Sequence, residues 1–505
     1  MFYKIKTLGL IGLSANEITV EVDINSGLFA FNIVGLAGKS VQESKERVFS
    51  AIRNSGFEMP MKRITVNLSP ADITKNSSSF DLPIAVAILK ATNQINIDIK
   101  DTVIWGDLSL EGKALHSRGA LAITDAAKKL GYYRIILPQI NAKEAGIVSG
   151  IEIVGIPKLT DTNNISEFCY SARIVDNHRV NNTKDLDEDY DFAYVKGQQN
   201  LKRAFEIASA GGHNILLNGV PGSGKTFISR CMTGILPDME MNEIIEVTKI
   251  YSIAGLLNEN SVITKRPFRS PHHTSSHVAL IGGGSIPKPG EITLAHRGVL
   301  FLDEFNEFEP RALESLRQPL EDKVVHISRA SAVMEYPSNF MLIGAMNPCR
   351  CGFFGDSNKE CICTPYDLEK FKRKMSGPIL DRIDLQIFVK KVTKNDLIND
   401  SKGEPSKMIR KRVINARKIQ LDRISAIKKP DVFNNSDLNH LQIKAFVNLS
   451  PKAKTLVSKV IDSLDLSARG YFRILKLSRT IADLEGSDSV KETHIAEAVS
   501  YRLLS

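Results

Sequence analysis

Nowhere in the 505 residues is there a run approaching the roughly 18–20 consecutive apolar residues that a membrane span requires. The apolar stretch at 8–13, LGLIGL, is too short and too soon followed by polar sequence to act as a signal peptide. Cysteine is scarce, six in all with four of them between 349 and 363. A disulfide framework is therefore not expected, and the chain reads as a cytoplasmic protein with reduced thiols. No internal repeat or low-complexity tract stands out either.

What remains is the composition of an ordinary soluble globular protein, 43% hydrophobic and 24% charged, long enough for about three domains. The formal charge of +9 is modest for the length, but it is unevenly spread. Between Lys370 and Lys429 stand 18 lysine and arginine residues against 6 aspartate and glutamate, a local net of +12. Such a run is either a solvated basic face or a surface for a polyanion, to which clustered positive charge gives affinity without sequence preference.

Residues 1–174 alternate strand-like runs (ITVEVDI at 18–24, RITVNL at 63–68) with helix-like ones. The helix expected over 40–56 gathers Val41, Val48 and Ile52 on one face and stops at Gly56. DLPIAVAILKA at 81–91 reads as a buried helix, and 104–117 as a hairpin turning at Glu111-Gly112. A polar segment without periodicity, 175–191, is the expected linker. Residues 192–390 are again α/β, and 391–505 begin polar and basic and end in three helical stretches.

The chemistry lies in the middle segment. NILLNGVPGSGKT at 214–226 is an apolar strand followed by Gly219, Val220, Pro221, Gly222, Ser223, Gly224, Lys225 and Thr226. In such a P-loop, glycine backbone N–H groups cradle the phosphates of ATP, the lysine reaches the β and γ phosphates, and the hydroxyl binds Mg²⁺. GVLFLDEF at 298–305 supplies the second strand, with Asp303 expected to hold Mg²⁺ through water and Glu304 to polarise the attacking water. A third apolar strand ends in Asn347, placed to orient the same water. Arg382 and Arg469 are candidates for the positive charge that phosphoryl transfer needs at the γ-phosphate oxygens; either could instead be an ordinary ion pair.

These elements in this order resemble an AAA+ ATPase. RPFRSPHHTSS (266–276), the stretch 281–304 and SGPILDRIDL (376–385) resemble the magnesium-chelatase-like subgroup, and the arrangement as a whole resembles the bacterial ComM/YifB family. The resemblance implies an N-terminal Lon-protease-like (S5-like) α/β domain, a central AAA+ P-loop domain and a C-terminal helical lid. It further implies a homo-hexameric ring and a helicase that promotes branch migration of DNA, single-stranded and branched, as incoming DNA is integrated. By the same resemblance Asn347 corresponds to sensor 1, Arg382 to an arginine finger acting across a subunit boundary, and Arg469 to the sensor 2 arginine.

In a Lon protease a serine is activated by a lysine about 40 residues later. Ser79 falls at the nucleophile position here, but 114–127 contains no lysine, so a non-proteolytic domain is expected. Two insertions could reach a threaded substrate: the segment around His272 and His273, and a hairpin at 321–340 bearing Lys323 and Arg329, where related helicases grip DNA phosphates. The histidines read equally well as structural. A protein-remodelling or metal-chelatase-type ATPase is the alternative function.

Cys349, Cys351, Cys361 and Cys363 form two Cys-x-Cys arms around a nine-residue loop. Four thiolates converging suit a closed, structural Zn²⁺ site. Unliganded thiols or a redox pair are the other readings.

Overall fold

The computed structural model describes residues 1–36, 38–71, 75, 78–170, 189–257, 262–284, 288–329, 332–356, 359–373, 377–392, 403–425, 432–464 and 466–502. Most of the expected linker lies outside them. The chain forms two compact units. The first comprises Met1–Thr183 together with Glu240–Thr264 and Ser328–Tyr336; the second comprises Lys184–Met239, Lys265–Ile327 and Pro337–Ser505.

The first unit is built on an eight-stranded mixed sheet. Its centre is the antiparallel pair Phe2–Ile11 and Ser14–Asn25, in register from Phe2 opposite Asp23 to Ile11 opposite Ser14. The short LGLIGL run thus ends the first strand and enters its turn. Strict alternation puts Ile18, Val20, Val22 and Ile24 on one buried face, against the helices Lys39–Asn54 and Asp81–Ala91. Val41, Val48 and Ile52 are fully buried there, and Asp81 through Leu89 are buried on every side. The hairpin forms as expected, pairing Asp107–Leu108 with Ala114–Leu115. Helix Met241–Ala254 belongs to this unit, where Ser252 Oγ accepts from the Gly119 N–H at 2.9 Å.

The second unit carries a five-stranded, wholly parallel sheet. Its order is Phe268–Arg269, Val299–Leu302, Met341–Met346, Ile215–Gly219 and Leu385–Val389. Four of the five strands are mostly or wholly buried, as apolar strands covered by helices on both faces should be. Order reversal places Ile215–Gly219 between two strands that come much later in the chain. The carboxyl ends of such strands, at a switch point of this kind, are where open parallel sheets bind ligands. The longer C-terminal helices are Ser406–Ser425, Pro451–Leu464, Ala468–Leu484 and Glu492–Ser500.

An ionic knot ties the third of these helices to the first. Arg479, only 1% exposed, donates to Asp483 Oδ1 at 2.8 Å, and Arg423 pairs with the same carboxylate. Removing the shared acid leaves two guanidinium groups without their counter-ion. Asp483→Ala should destabilise the second unit by about 3–5 kcal/mol, seen as an early transition in chemical unfolding monitored by circular dichroism; an unchanged unfolding curve would count against this role.

Candidate functional site

The P-loop follows directly from strand Ile215–Gly219 and leads into helix Lys225–Ile235. Gly222 and Gly224 take positive φ values of 76° and 84°, and the loop is pinned by Ser223 Oγ donating to the Val220 carbonyl at 2.8 Å. Lys225 is buried, and its Nζ donates to the Gly219 carbonyl at 2.5 Å, the Val220 carbonyl at 3.2 Å and Asn347 Oδ1 at 3.2 Å. Burial lowers the pKa of its ammonium, and the nearby Asp303 carboxylate works the other way.

Thr226 Oγ1 donates to Asp303 Oδ2 at 2.8 Å. A hydroxyl and a carboxylate side by side are hard oxygen donors of the kind Mg²⁺ takes alongside phosphate oxygens. The donor set and the open helix N-terminus therefore fit ATP and Mg²⁺, the groups the resemblance implies. Glu304, the next residue, has φ +50°, a left-handed conformation that glutamate seldom adopts. Its carboxylate is half exposed, and Oε2 lies 2.7 Å from His273 Nδ1. The four expected elements (P-loop, Asp303, Glu304 and Asn347) thus meet at the carboxyl edge of one sheet.

The two arginines are placed otherwise. Arg382 is 5% exposed, donates to the Pro378 carbonyl at 2.5 Å and pairs with Glu321 at 2.7 Å; its buried Nε has no hydrogen-bond partner among the described residues. Arg469 is 61% exposed and stands 3.6 Å from the same Glu321 carboxylate. One helical turn further on, Arg473 faces Asp384 at 3.4 Å. Burial alone would raise the pKa of Asp384, but Arg473 and His213 hold its carboxyl well below the usual range. Arg473 escaped the sequence reading, because its partner Asp384 lies far away in sequence. No signal tied His273 to Glu304 either.

The expected DNA contacts divide. Lys323 sits at the foot of the hairpin formed by Val324–Arg329 and Ala332–Pro337, at φ +60°, with Nζ 3.9 Å from Asp437. The side chain of Arg329 lies outside the described residues. Part of the basic run is paired within the chain: Arg410 pairs with Asp238, Arg412 with Glu206 and Glu404, Arg423 with Asp483, and Arg417 donates to the Ser209 carbonyl at 2.8 Å. Lys407, Lys411 and Lys418 of the same helix are exposed. In the first unit, Ser79 is buried and Lys75 Nζ donates to the Gly35 carbonyl at 3.0 Å.

The four clustered cysteines converge. Their sulfurs all lie within 4.8 Å of one another, with Cys349–Cys351 at 3.3 Å, Cys351–Cys361 at 3.5 Å and Cys349–Cys361 at 3.7 Å. Sulfurs around a tetrahedral Zn²⁺, each about 2.3 Å from the metal, stand about 3.8 Å apart. The Phe354 N–H points at Cys349 Sγ from 3.3 Å; the Phe353 N–H and neighbouring thiols lower the pKa of the Cys351 thiol, and burial and the same cluster of thiols raise those of Cys361 and Cys363.

Comparison with known proteins agrees with this layout. The family described as "Magnesium chelatase, subunit ChlI" matches residues 191–397, "Subunit ChlI of Mg-chelatase" matches 20–141, and "Magnesium chelatase, subunit ChlI C-terminal" matches 403–502. Competence protein ComM of Haemophilus influenzae is 40% identical over 98% of this chain and 96% of its own length. YifB of Escherichia coli is 38% identical over 99% of this chain and 97% of its own. The magnesium-chelatase 38 kDa subunit of Rhodobacter capsulatus is 23% identical over 62% of this chain and 88% of its own. With a P-loop, a paired acid strand and a helical C-terminal region in their expected order, and relatives along its whole length, the chain belongs to the magnesium-chelatase-like AAA+ family, together with ComM and YifB.

Proposed function

We propose that the chain is an ATP-hydrolysing, homo-hexameric ring motor of the cytoplasm that acts on DNA as a helicase, promoting branch migration and integration of incoming strands. The ATPase part rests on the meeting of Lys225, Thr226, Asp303, Glu304 and Asn347 at one sheet edge. Thr226 and Asp303 would hold Mg²⁺, which when bound neutralises phosphate charge. Lys225 would exchange its carbonyl partners for phosphate oxygens. Glu304 would orient water and receive its proton once released from His273. Competence protein ComM, as its name says, serves competence, and this favours DNA as the substrate. The exposed Lys407, Lys411 and Lys418 and the hairpin residues Lys323 and Arg329 are the candidate phosphate contacts. No described helix is long and apolar enough to cross a membrane.

A chelatase-type or protein-remodelling ATPase is the second reading, favoured by the family descriptions. ATPase assays with and without forked or three-stranded DNA, followed over a salt series, separate the two. A DNA motor shows DNA-stimulated turnover and DNA release by salt; turnover indifferent to DNA supports the second reading.

Lys225→Ala should lose both nucleotide binding and turnover. Glu304→Gln keeps the shape of the side chain but loses the charge that takes a proton, so it should bind ATP and hydrolyse it poorly. Normal turnover in Glu304→Gln would remove this residue from the mechanism.

Arg382→Ala should retain ATP binding and lose turnover by roughly 10³-fold or more if the arginine completes a neighbour's site. Rings mixed from Arg382→Ala and Lys225→Ala subunits should recover part of the activity, since each lacks a different half of the site. Rings verified as mixed yet wholly inactive would argue for a structural Arg382, in keeping with its burial beside Glu321.

A further inference from the structure

The cysteine cluster is built against the P-loop. Cys349 follows Asn347 by two residues, and Asn347 Oδ1 is one of the acceptors that hold Lys225. Gly352, next to Cys351, has φ +84°, and a Cβ placed there would lie 2.9 Å from Pro221 Cγ and 3.0 Å from Cδ. The knuckle of the thiol loop therefore touches the phosphate loop at a point where only glycine fits. A side chain at Gly355 would meet the Phe388 ring at 3.2 Å, and Phe388 lies on the strand beside Ile215–Gly219. Asp356, its carboxylate 2% exposed, pairs with Lys391 at 2.8 Å just beyond the same strand. Three contacts thus connect the loop to the P-loop and to the strand beside it.

Four sulfurs this close cannot all carry charge without a cation among them, and without one nothing covalent or coordinate joins the two arms. With a metal bound, the arms close and Gly352 is fixed on Pro221. We propose that zinc held by Cys349, Cys351, Cys361 and Cys363 regulates the nucleotide site: metal occupancy keeps the thiol knuckle seated on the P-loop, so nucleotide affinity depends on zinc. This rests on the P-loop reading above and extends it. Linkage makes the dependence reciprocal, so bound nucleotide must hold zinc more tightly by the same factor.

The test uses full-length protein purified without added metal, with zinc measured by elemental analysis and Mg²⁺–ADP affinity by calorimetric titration. Wild type should carry about one zinc per chain, as a closed four-sulfur site does. The paired variant Cys361→Ser/Cys363→Ser should lack zinc and bind ADP about 5- to 100-fold more weakly. Gly352→Ala keeps all four thiols but pushes on Pro221, and should retain zinc while losing affinity to a similar degree. Saturating ADP should slow transfer of zinc from wild type to a chromogenic chelator. Should the paired variant fail to show the circular dichroism of wild type, chelator-stripped wild type, before and after reloading with zinc, supplies the comparison. Full ADP affinity in folded, zinc-free protein overturns the coupling while leaving a structural zinc site standing. Wild type without zinc and with four free thiols overturns the site itself. Zinc-loaded wild type that binds ADP no better than Lys225→Ala overturns the P-loop reading, and the proposal with it.

Discussion

A buried ammonium must be surrounded by acceptors, and Lys225 draws its acceptors from separate stretches of chain. Two carbonyls come from the loop that precedes it and one amide oxygen from Asn347, with the Asp303 carboxylate near enough to oppose its loss of charge. None of this is possible unless strand Ile215–Gly219 lies next to Met341–Met346 in parallel register, which brings Asn218 opposite Met346. The arrangement of the sheet and the satisfaction of one cation are therefore the same constraint. The carbonyls that Lys225 now engages are weaker partners than a charged phosphate oxygen, so the site is poised to exchange them.

Contacts made between neighbours in sequence were legible without coordinates. Glycine spacing marks the P-loop, an apolar run ending in Asp303-Glu304 marks the acid strand, and ITVEVDI at 18–24 marks the middle of strand Ser14–Asn25. Long-range partners were not legible. The positive run from 370 to 429 looked like one charged surface because its neutralising acids, Glu206, Asp238 and Asp483, lie far away in sequence. Nothing in the sequence announced that Lys323, at the foot of the hairpin, would face Asp437. Net charge counts residues, whereas a surface depends on which of them remain unpaired after folding.

The cysteines illustrate the same distinction from the other side. Their Cys-x-Cys spacing left zinc, free thiols and a redox pair all open, and it is the convergence of four sulfurs that favours the metal. The contact between Gly352 and Pro221 had no signature in the sequence, because each residue is already accounted for by its own turn. Likewise His273 gave no sign that it would face Glu304, an acid held in a left-handed backbone conformation.

Both compact units are discontinuous. Glu240–Thr264 and Ser328–Tyr336 complete the first unit although the second begins at Lys184. On the ribosome, where the N-terminal portion emerges first, the first unit must wait for residue 336 before its last segment exists. Until residue 252 has been made, Gly119 and Glu144 of its early sheet lack their Ser252 partner, and the unit stays unfinished until residue 336. Cutting the chain in the 175–191 stretch would give fragments matching neither unit, so the natural seam in sequence is not a seam in the fold.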